Sequence, residues 1–410
     1  MTARVIPMRV DIAVVGRGLV GMAAALAFAR AGRSVALIGP EAPPPQYLPG
    51  RDPRVYALSA QTRALLEPLG IWGAIAPDRI ASVTDMRVYP ESGGQSRGLH
   101  FSAFETGVEA LAWITENGAL AQSLRQALQF SPVRPVEGRL AGVSCGPRDA
   151  FARLQLEDGR AFEARLVVGA DGMRSATREL ARIPSEWRDY PQHALVANFD
   201  CERPHRHIAW QWFGEYGILA LLPLPPGPDA PGRYSMVWSA PVVLAEHLRQ
   251  LEADALCRQV EAASASVAGS MTLISEVAVH PLQMGRVSTL IGPRLALIGD
   301  AAHGVHPLAG QGMNLGFGDL ADLVSATSAG DDPGARAALR RYERSRAEPV
   351  LAMQTLTDTL QKLFDPNGLA PLQPLDRPVA LLRDLGWDLI ARSGWVKRAL
   401  ITHAMGLDRA

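Results

Sequence analysis

The chain has 410 residues, 41 basic and 41 acidic side chains, and is 48% hydrophobic, which suits two or three domains with a large core and excludes a broad nucleic-acid footprint. Its three cysteines, Cys145, Cys201 and Cys257, form no CxxC pair and exclude a zinc ribbon or a disulfide framework; they fit reduced thiols. No signal-peptide pattern occurs and no uncharged apolar run reaches the roughly 18 residues of a membrane span, so the expectation is a soluble, cytoplasmic protein without a transmembrane segment, still able to touch a membrane surface.

The first elements come at once. Asp11–Val15 reads as a short apolar strand, and Gly16, Gly18 and Gly21 then spell GxGxxG. An alanine-rich helix follows and stops at Gly32, and Ser34–Ile38 is the next strand. Strand, GxGxxG, helix and strand in that order predict a dinucleotide site. Gly16 permits the tight turn, Gly18 lets a pyrophosphate approach the backbone, and Gly21 lets the helix pack on the sheet. The helix N-terminus supplies free N–H groups and a positive dipole end. An acid is expected at the end of the second strand to hold a ribose. Gly39 and Pro40 stand there instead. Either Glu41, just beyond, reaches back to the ribose or backbone groups hold it.

Further on, "LVVGADGMRSATREL" (Leu166–Leu180) is a buried strand ending in Gly169, Ala170, Asp171 and Gly172, with a helix opened by Arg174, Ser175 and Arg178. A hairpin turning at Asp158-Gly159 feeds it. Ala194–Pro223 reads as strands from its alternation and aromatic content, and "PLPPGPDAPG" as a loop between two of them. "LIGDAAHGVHPLAGQGMNLG" (Leu297–Gly316) repeats the earlier design of strand, Gly-Asp and helix. Each acid thus stands at a strand's C-terminal end, where ligands of α/β sheets bind. His303 and His306 lie only three apart with no cysteine near, so no metal site is expected. From Arg336 the chain turns helical. Residues 377–410 hold six basic and three acidic residues together with Trp387 and Trp395. That end suits either packing on the rest of the protein or resting on a membrane or partner surface.

Taken together, the GxGxxG, "GADGMRSATR" and "GDAAHGVHPLAGQGMNLG" resemble the three fingerprints of the flavoprotein aromatic hydroxylases. Within that group, "DPRVYALSAQTRALLEPLGIW" (Asp52–Trp72), "ITENGALAQSL" (Ile114–Leu124) and "HPLAGQGMNLG" resemble the FAD-dependent hydroxylases of ubiquinone biosynthesis. The resemblance spans nearly the whole chain. It implies an α/β fold: a Rossmann-like FAD-binding domain from residues 1–75, 100–182 and 275–345, an inserted, mainly β-sheet substrate domain from 76–99 and 183–274, and a helical segment over 346–410. It implies hydroxylation of the aromatic ring of a polyprenylated phenol, with FAD reduced by NAD(P)H or another donor and molecular oxygen delivered through a flavin C4a-hydroperoxide. Contact with the membrane or with a ubiquinone-biosynthesis complex would follow from such a substrate. With only one GxGxxG in the chain, the reductant is expected to visit the flavin transiently. Two other readings of the same motifs are a flavoprotein oxidase or reductase acting on a lipid without oxygen insertion, and a non-catalytic flavin-binding subunit.

The resemblance also carries residue roles. Gly299 and Asp300 would meet the ribityl chain, and Gly310, Gly312, Met313 and Asn314 the isoalloxazine, with a helix N-terminus at its pyrimidine edge. Pro307 would lie beside the flavin where oxygen reacts, with His306 next to it. Arg54 would contact the FAD phosphates or ribose, and Asn117 the ribityl–phosphate region, unless Asn117 only caps a helix over Gly118–Leu128. Asp171 and Gly172 match the motif tied to FAD pyrophosphate and NAD(P)H, with Arg178 either holding Asp171 or lying on a helix surface. Trp210, Trp212, Phe213, Leu219 and Leu222 are the expected lining of the substrate pocket. One departure stands out. The family pattern has an arginine before Asp319, whereas Gly318 stands here, so an ion pair from that position is not available.

Overall fold

The computed structural model describes residues 8–40, 52–90, 98–146, 148–214, 216–227, 230–304 and 311–364. Five parallel strands form the spine of the first sheet: Leu295–Leu297, Ala161–Gly169, Met8–Val15, Val35–Gly39 and Arg134–Glu137, in that spatial order. Ile12–Val15, Val35–Ile38 and Leu166–Val168 are continuous runs of buried apolar residues, the pattern of parallel strands covered on both faces. Helix Leu19–Arg30 covers one face, and its alanines from Ala23 to Ala27 are buried. Small side chains let it lie close to the sheet. The Asp158-Gly159 hairpin joins Ala152–Leu156 to Ala161–Gly169 in antiparallel register, with Gly159 at φ +85°.

The register of the spine sets the site. Val15 pairs with Gly169, and Gly169 with Leu297. The three glycine-rich motifs, far apart in sequence, therefore leave the sheet side by side at its C-terminal edge.

A second, nine-stranded sheet contains Ser185–Cys201, Gly232–Pro241, Gly217–Pro223 and Ile208–Gly214 as an antiparallel core. Asp85–Pro90 and Leu99–Ser102 extend one side, and Ala278–Val287 and His303–Gly304 the other. Residues 100–102 and 278–287 thus pair within this sheet, although the sequence groups them with the flavin-binding segments. The faces of the sheet differ. Leu195, Phe199, Leu219, Leu221, Met236 and Trp238 pack under helices Val242–Arg249 and Ala253–Ala263. The opposite face carries mainly small side chains and looks toward the first sheet. A three-stranded sheet of Val55–Leu58, Ala112–Glu116 and Ile80–Val83 closes the space between them. Helix Arg336–Phe364 returns to the first sheet, where the buried Tyr342 hydroxyl donates to the Leu297 carbonyl at 2.7 Å.

Candidate active site

The glycines of the first motif have distinct surroundings. Gly16 sits at φ +115°, and a Cβ there would lie 2.1 Å from the Ala170 carbonyl oxygen, so the turn belongs to glycine because the second motif crosses it. A Cβ on Gly21 would lie 2.1 Å from the Gly16 carbonyl oxygen, so helix Leu19–Arg30 can start that close only with glycine there. Gly18 differs: nothing lies within 4 Å of its Cβ position, and as N-cap it makes no side-chain hydrogen bond to the helix. The helix therefore starts at a glycine with open space beside it, the arrangement that accepts a phosphate.

The second motif is held by its own acid. The Asp171 carboxylate accepts from the Thr177 N–H and Oγ1, both at 2.9 Å, and from Ser175 Oγ. It therefore shapes the loop into helix Ala176–Leu180, while Gly172, at φ +79°, has open space around it. Arg178 neither holds Asp171 nor lies on the surface. It is buried, donates to the carbonyls of Met173 at 2.9 Å and Ala301 at 3.1 Å, and lies over the Trp187 ring at 5.1 Å. It ties the second motif to the third.

In the third motif Asp300 opens on a cavity, and no donor among the described residues meets its carboxylate. Burial in the surrounding protein raises its pKa above the usual range; His303 works against the shift and Asp319 adds to it. Behind it lies a buried charge cluster. Asp319 accepts from the Gly299 N–H at 2.8 Å, from His303 Nε2 at 2.7 Å and from Arg346 Nε at 2.7 Å. Burial pushes the Asp319 carboxyl up, but His303 and Arg346 together carry it below its ordinary value. The missing arginine at position 318 thus has a substitute from helix Arg336–Phe364. A Cβ on Gly318 would lie 3.0 Å from the Arg346 guanidinium, so glycine leaves the space that guanidinium fills.

The stretch Asp52–Trp72 is laced to the rest. Asp52 accepts from the Gly118 N–H at 2.8 Å and from Asn117 Nδ2 at 3.3 Å, and its carbonyl accepts from Asn198 Nδ2 at 2.8 Å. Asn117 is the first residue of helix Asn117–Gln129 rather than its cap, and its Oδ1 accepts from the Tyr56 hydroxyl at 3.3 Å. The Asn314 side chain is also engaged: it donates to the Ala57 carbonyl at 2.7 Å and accepts from Thr62 Oγ1 at 2.8 Å.

A cavity of about 390 Å³ joins these parts to the second sheet. Arg54, Asp300, Gly312 and Asn314 stand at one side of it, and Ala194, Val196, Ala209, Ala220, Val237 and His280 at the other. The expected pocket residues divide between two openings. Trp210 and Leu222 line the cavity, whereas Trp212, Phe213 and Leu219 line a separate groove with Tyr216 and Trp238. Met313 packs on the main core. Glu41, His306, Pro307 and Gly310 lie outside the described residues. Asp52, Arg346, Asp319 and His280 were not marked in the sequence as site residues. The Asp-Pro turn before Arg54 could have drawn attention to Asp52; no sequence signal marks the others.

An open helix N-terminus for a pyrophosphate, a carboxylate left for a ribityl hydroxyl, and a helix beginning at Gln311 beside the cavity make these residues fit FAD. A family model described as an FAD binding domain matches residues 9–357. Ubiquinone hydroxylase UbiL of Rhodospirillum rubrum is 36% identical over 409 residues, covering 97% of this chain and 89% of that protein. The 3-demethoxyubiquinol 3-hydroxylase of Escherichia coli is 32% identical, covering 97% of this chain and 98% of that protein. Among solved structures, p-nitrophenol 4-monooxygenase PnpA of Pseudomonas putida matches with a TM-score of 0.74 at 15% identity, over 98% of this chain and 99% of that one. The probable FAD-dependent monooxygenase pqsL of Pseudomonas aeruginosa matches at 0.70 and 22% identity, over 89% of this chain and 100% of that one. Both share the fold.

Proposed function

Because the chain belongs to the family of FAD-dependent hydroxylases that act in ubiquinone biosynthesis, we propose that it is a monooxygenase that hydroxylates the aromatic ring of a polyprenylated phenol. FAD is the cofactor, NAD(P)H or another donor its reductant, and molecular oxygen the co-substrate. When bound, FAD supplies the activation of oxygen, and the protein supplies position and electrostatics. The observation that carries the substrate class is the cavity: largely apolar, about 390 Å³, and continuous from Asp300 and Gly312 to the small side chains of the second sheet. In this reading the flavin ring takes the Asp300 and Gly312 side of that space, and the apolar remainder against the second sheet is left for the phenol ring.

In this reading Gly16, Gly18 and Gly21 receive the pyrophosphate, with Gly172 leaving space beside it. Asp300 takes the ribityl chain, and the helix start at Gly312–Asn314 faces the flavin ring. Arg54, at the cavity edge, balances phosphate or ring charge. His306 and Pro307 are assigned beside the reacting face on the motif alone. The test is substrate-stimulated turnover. A short-tailed 2-prenylphenol added to the FAD-loaded protein should accelerate NAD(P)H oxidation and yield a product one oxygen heavier. NAD(P)H oxidation indifferent to the phenol, with the phenol returned unchanged, would contradict the proposal.

No described helix is long and apolar enough to cross a membrane. A polyprenylated substrate partitions into bilayers, so the finer reading is that the basic, tryptophan-bearing stretch over 377–410 brings the enzyme to an anionic membrane surface. Charge reversal at Arg392, Lys397 and Arg398 should weaken salt-sensitive binding to anionic liposomes without changing flavin content. Equal binding by both proteins would leave that stretch a packing role.

A further inference from the structure

The cavity wall presents one neutral base among the described residues, and we infer that His280 accepts the proton of the substrate's ring hydroxyl as the ring is hydroxylated. This rests on the reading that the substrate is a phenol. His280 lies on strand Ala278–Val287 directly opposite Ala194. Paired residues of an antiparallel ladder share a face, and Ala194 lines the cavity, as does His280 itself. The imidazole therefore projects into the space between the flavin-side residues and the second sheet. It meets no hydrogen-bonding partner among the described residues.

The other titratable groups of the cavity are committed elsewhere. Arg54 is a permanent cation. The Tyr56 hydroxyl donates to Asn117 and is pushed up to about 12, chiefly by burial. Asp300 stands on the flavin side, at the Gly-Asp turn. Of these groups, Arg54 and Tyr56 from the stretch entering strand Val55–Leu58 and Asp300 from that turn face the same space as His280. Burial, and then the Arg54 charge, hold His280 below the ordinary imidazole range. It is therefore unprotonated at neutral pH and able to accept. The Arg54 charge that opposes the imidazolium favours the phenolate formed beside it.

The step balances between the substrate, His280 and the activated oxygen that reduced FAD and molecular oxygen would supply. The phenolic O–H bond breaks and an N–H bond forms on the imidazole. The freed electron pair moves into the ring, whose carbon bonds the incoming hydroxyl oxygen as the O–O bond to that oxygen breaks; the electron pair of that bond leaves on the other oxygen, which takes a proton from solvent. The ring is then a ketone bearing hydrogen and hydroxyl on that carbon. The carbon sheds its hydrogen as a proton to solvent, and the imidazolium returns its proton to the ring oxygen. General-base assistance of this kind contributes roughly 10²–10⁴-fold.

The test uses FAD-loaded wild type and His280→Gln with two ligands. With a short-tailed 2-prenylphenol, the variant should lose roughly a hundredfold or more in kcat. It should also lose the acid limb of the pH profile while keeping its flavin. With a prenylated 4-nitrophenol, whose ionisation is read by absorbance without turnover, the bound ligand should ionise over two coupled steps in wild type, because it titrates as a pair with the imidazole, and in a single step in the variant. Unchanged ionisation and an unchanged pH profile would overturn the assignment. If wild type fails to hydroxylate the prenylphenol while the nitrophenol still senses His280, the substrate reading falls and the base assignment stands. If wild type hydroxylates and the variant matches it in both measurements, the base assignment falls and the substrate reading stands.

Discussion

Replacing Arg346 by leucine should destabilise the protein and loosen the flavin site together. The guanidinium meets Asp319 at 2.7 Å, the Leu315 carbonyl at 3.1 Å and Asp322 at 3.3 Å. The side chains of Arg346 and Asp319 are 4% and 0% exposed, so water cannot take over the contacts. Removing one partner of a buried ion pair costs about 3–5 kcal/mol. Asp319 keeps the Gly299 N–H and His303 Nε2 as donors, which places the loss near the lower end, at about 3 kcal/mol. Urea unfolding of the flavin-free protein reads that loss directly. Since Gly299 precedes Asp300, FAD titration of the same variant should show weakened binding. The pH dependence has a definite sign. The Asp319 carboxyl is held below its ordinary value, so its stabilising contribution is present above the unfolded-chain pKa of about 3.9. That contribution is lost as pH falls through the lower, folded value. Without Arg346 the carboxyl protonates at higher pH, and the acid-unfolding midpoint should rise. Unfolding free energy within about 0.5 kcal/mol of wild type, with the acid midpoint unmoved, would refute the reasoning.

Asp300→Asn should separate stability from binding. Asp300 is exposed to the cavity in the flavin-free protein and meets no donor among the described residues, so the flavin-free fold gains nothing from its charge. The variant should melt at the same or a higher temperature while FAD affinity falls roughly ten- to a hundredfold, as a lost charged hydrogen bond implies; lower melting with full affinity would reverse both roles. Gly18→Val should fold normally, since nothing lies near its Cβ position, yet purify without flavin. Gly21→Ala should lose melting temperature as well, because its methyl would meet the Gly16 carbonyl at 2.1 Å; matched behaviour of the two variants in melting and flavin absorbance would undo the distinction. Ala220→Phe, which fills the cavity, should keep its FAD but no longer respond to a prenylphenol in NAD(P)H oxidation, and an unchanged response would place the substrate elsewhere.

The motifs were legible because glycine constraints are local. Strand, turn and helix can be read over a few residues, and the three glycine-rich turns point to one strand edge. Contacts between distant segments were not legible. Arg178 follows Asp171 closely enough to suggest a pair, but its guanidinium turns to carbonyls of Met173 and Ala301. Arg346 reaches Asp319 from another helix, and no spacing rule announces it. The second sheet is the clearest case. Its alternation predicts strands, but which face meets the cavity depends on helices Val242–Arg249 and Ala253–Ala263, which cover the other side. Bulky Leu219 and Trp238 go under those helices, and alanines are left to border open space. An eye drawn to aromatics therefore selects Trp212 and Phe213 and passes over Ala194, Ala209, Ala220 and the histidine opposite Ala194.

Oxygen insertion is tested most directly by isotope. FAD-loaded enzyme should be supplied with NAD(P)H, or with a chemical reductant of the flavin, and a short-tailed prenylphenol under ¹⁸O-labelled oxygen, and the extracted product weighed by mass spectrometry. A monooxygenase places one labelled atom in the new ring hydroxyl. A product that is oxidised or reduced without label, or a phenol returned unchanged while the flavin is reoxidised, would contradict ring hydroxylation as the activity of this chain.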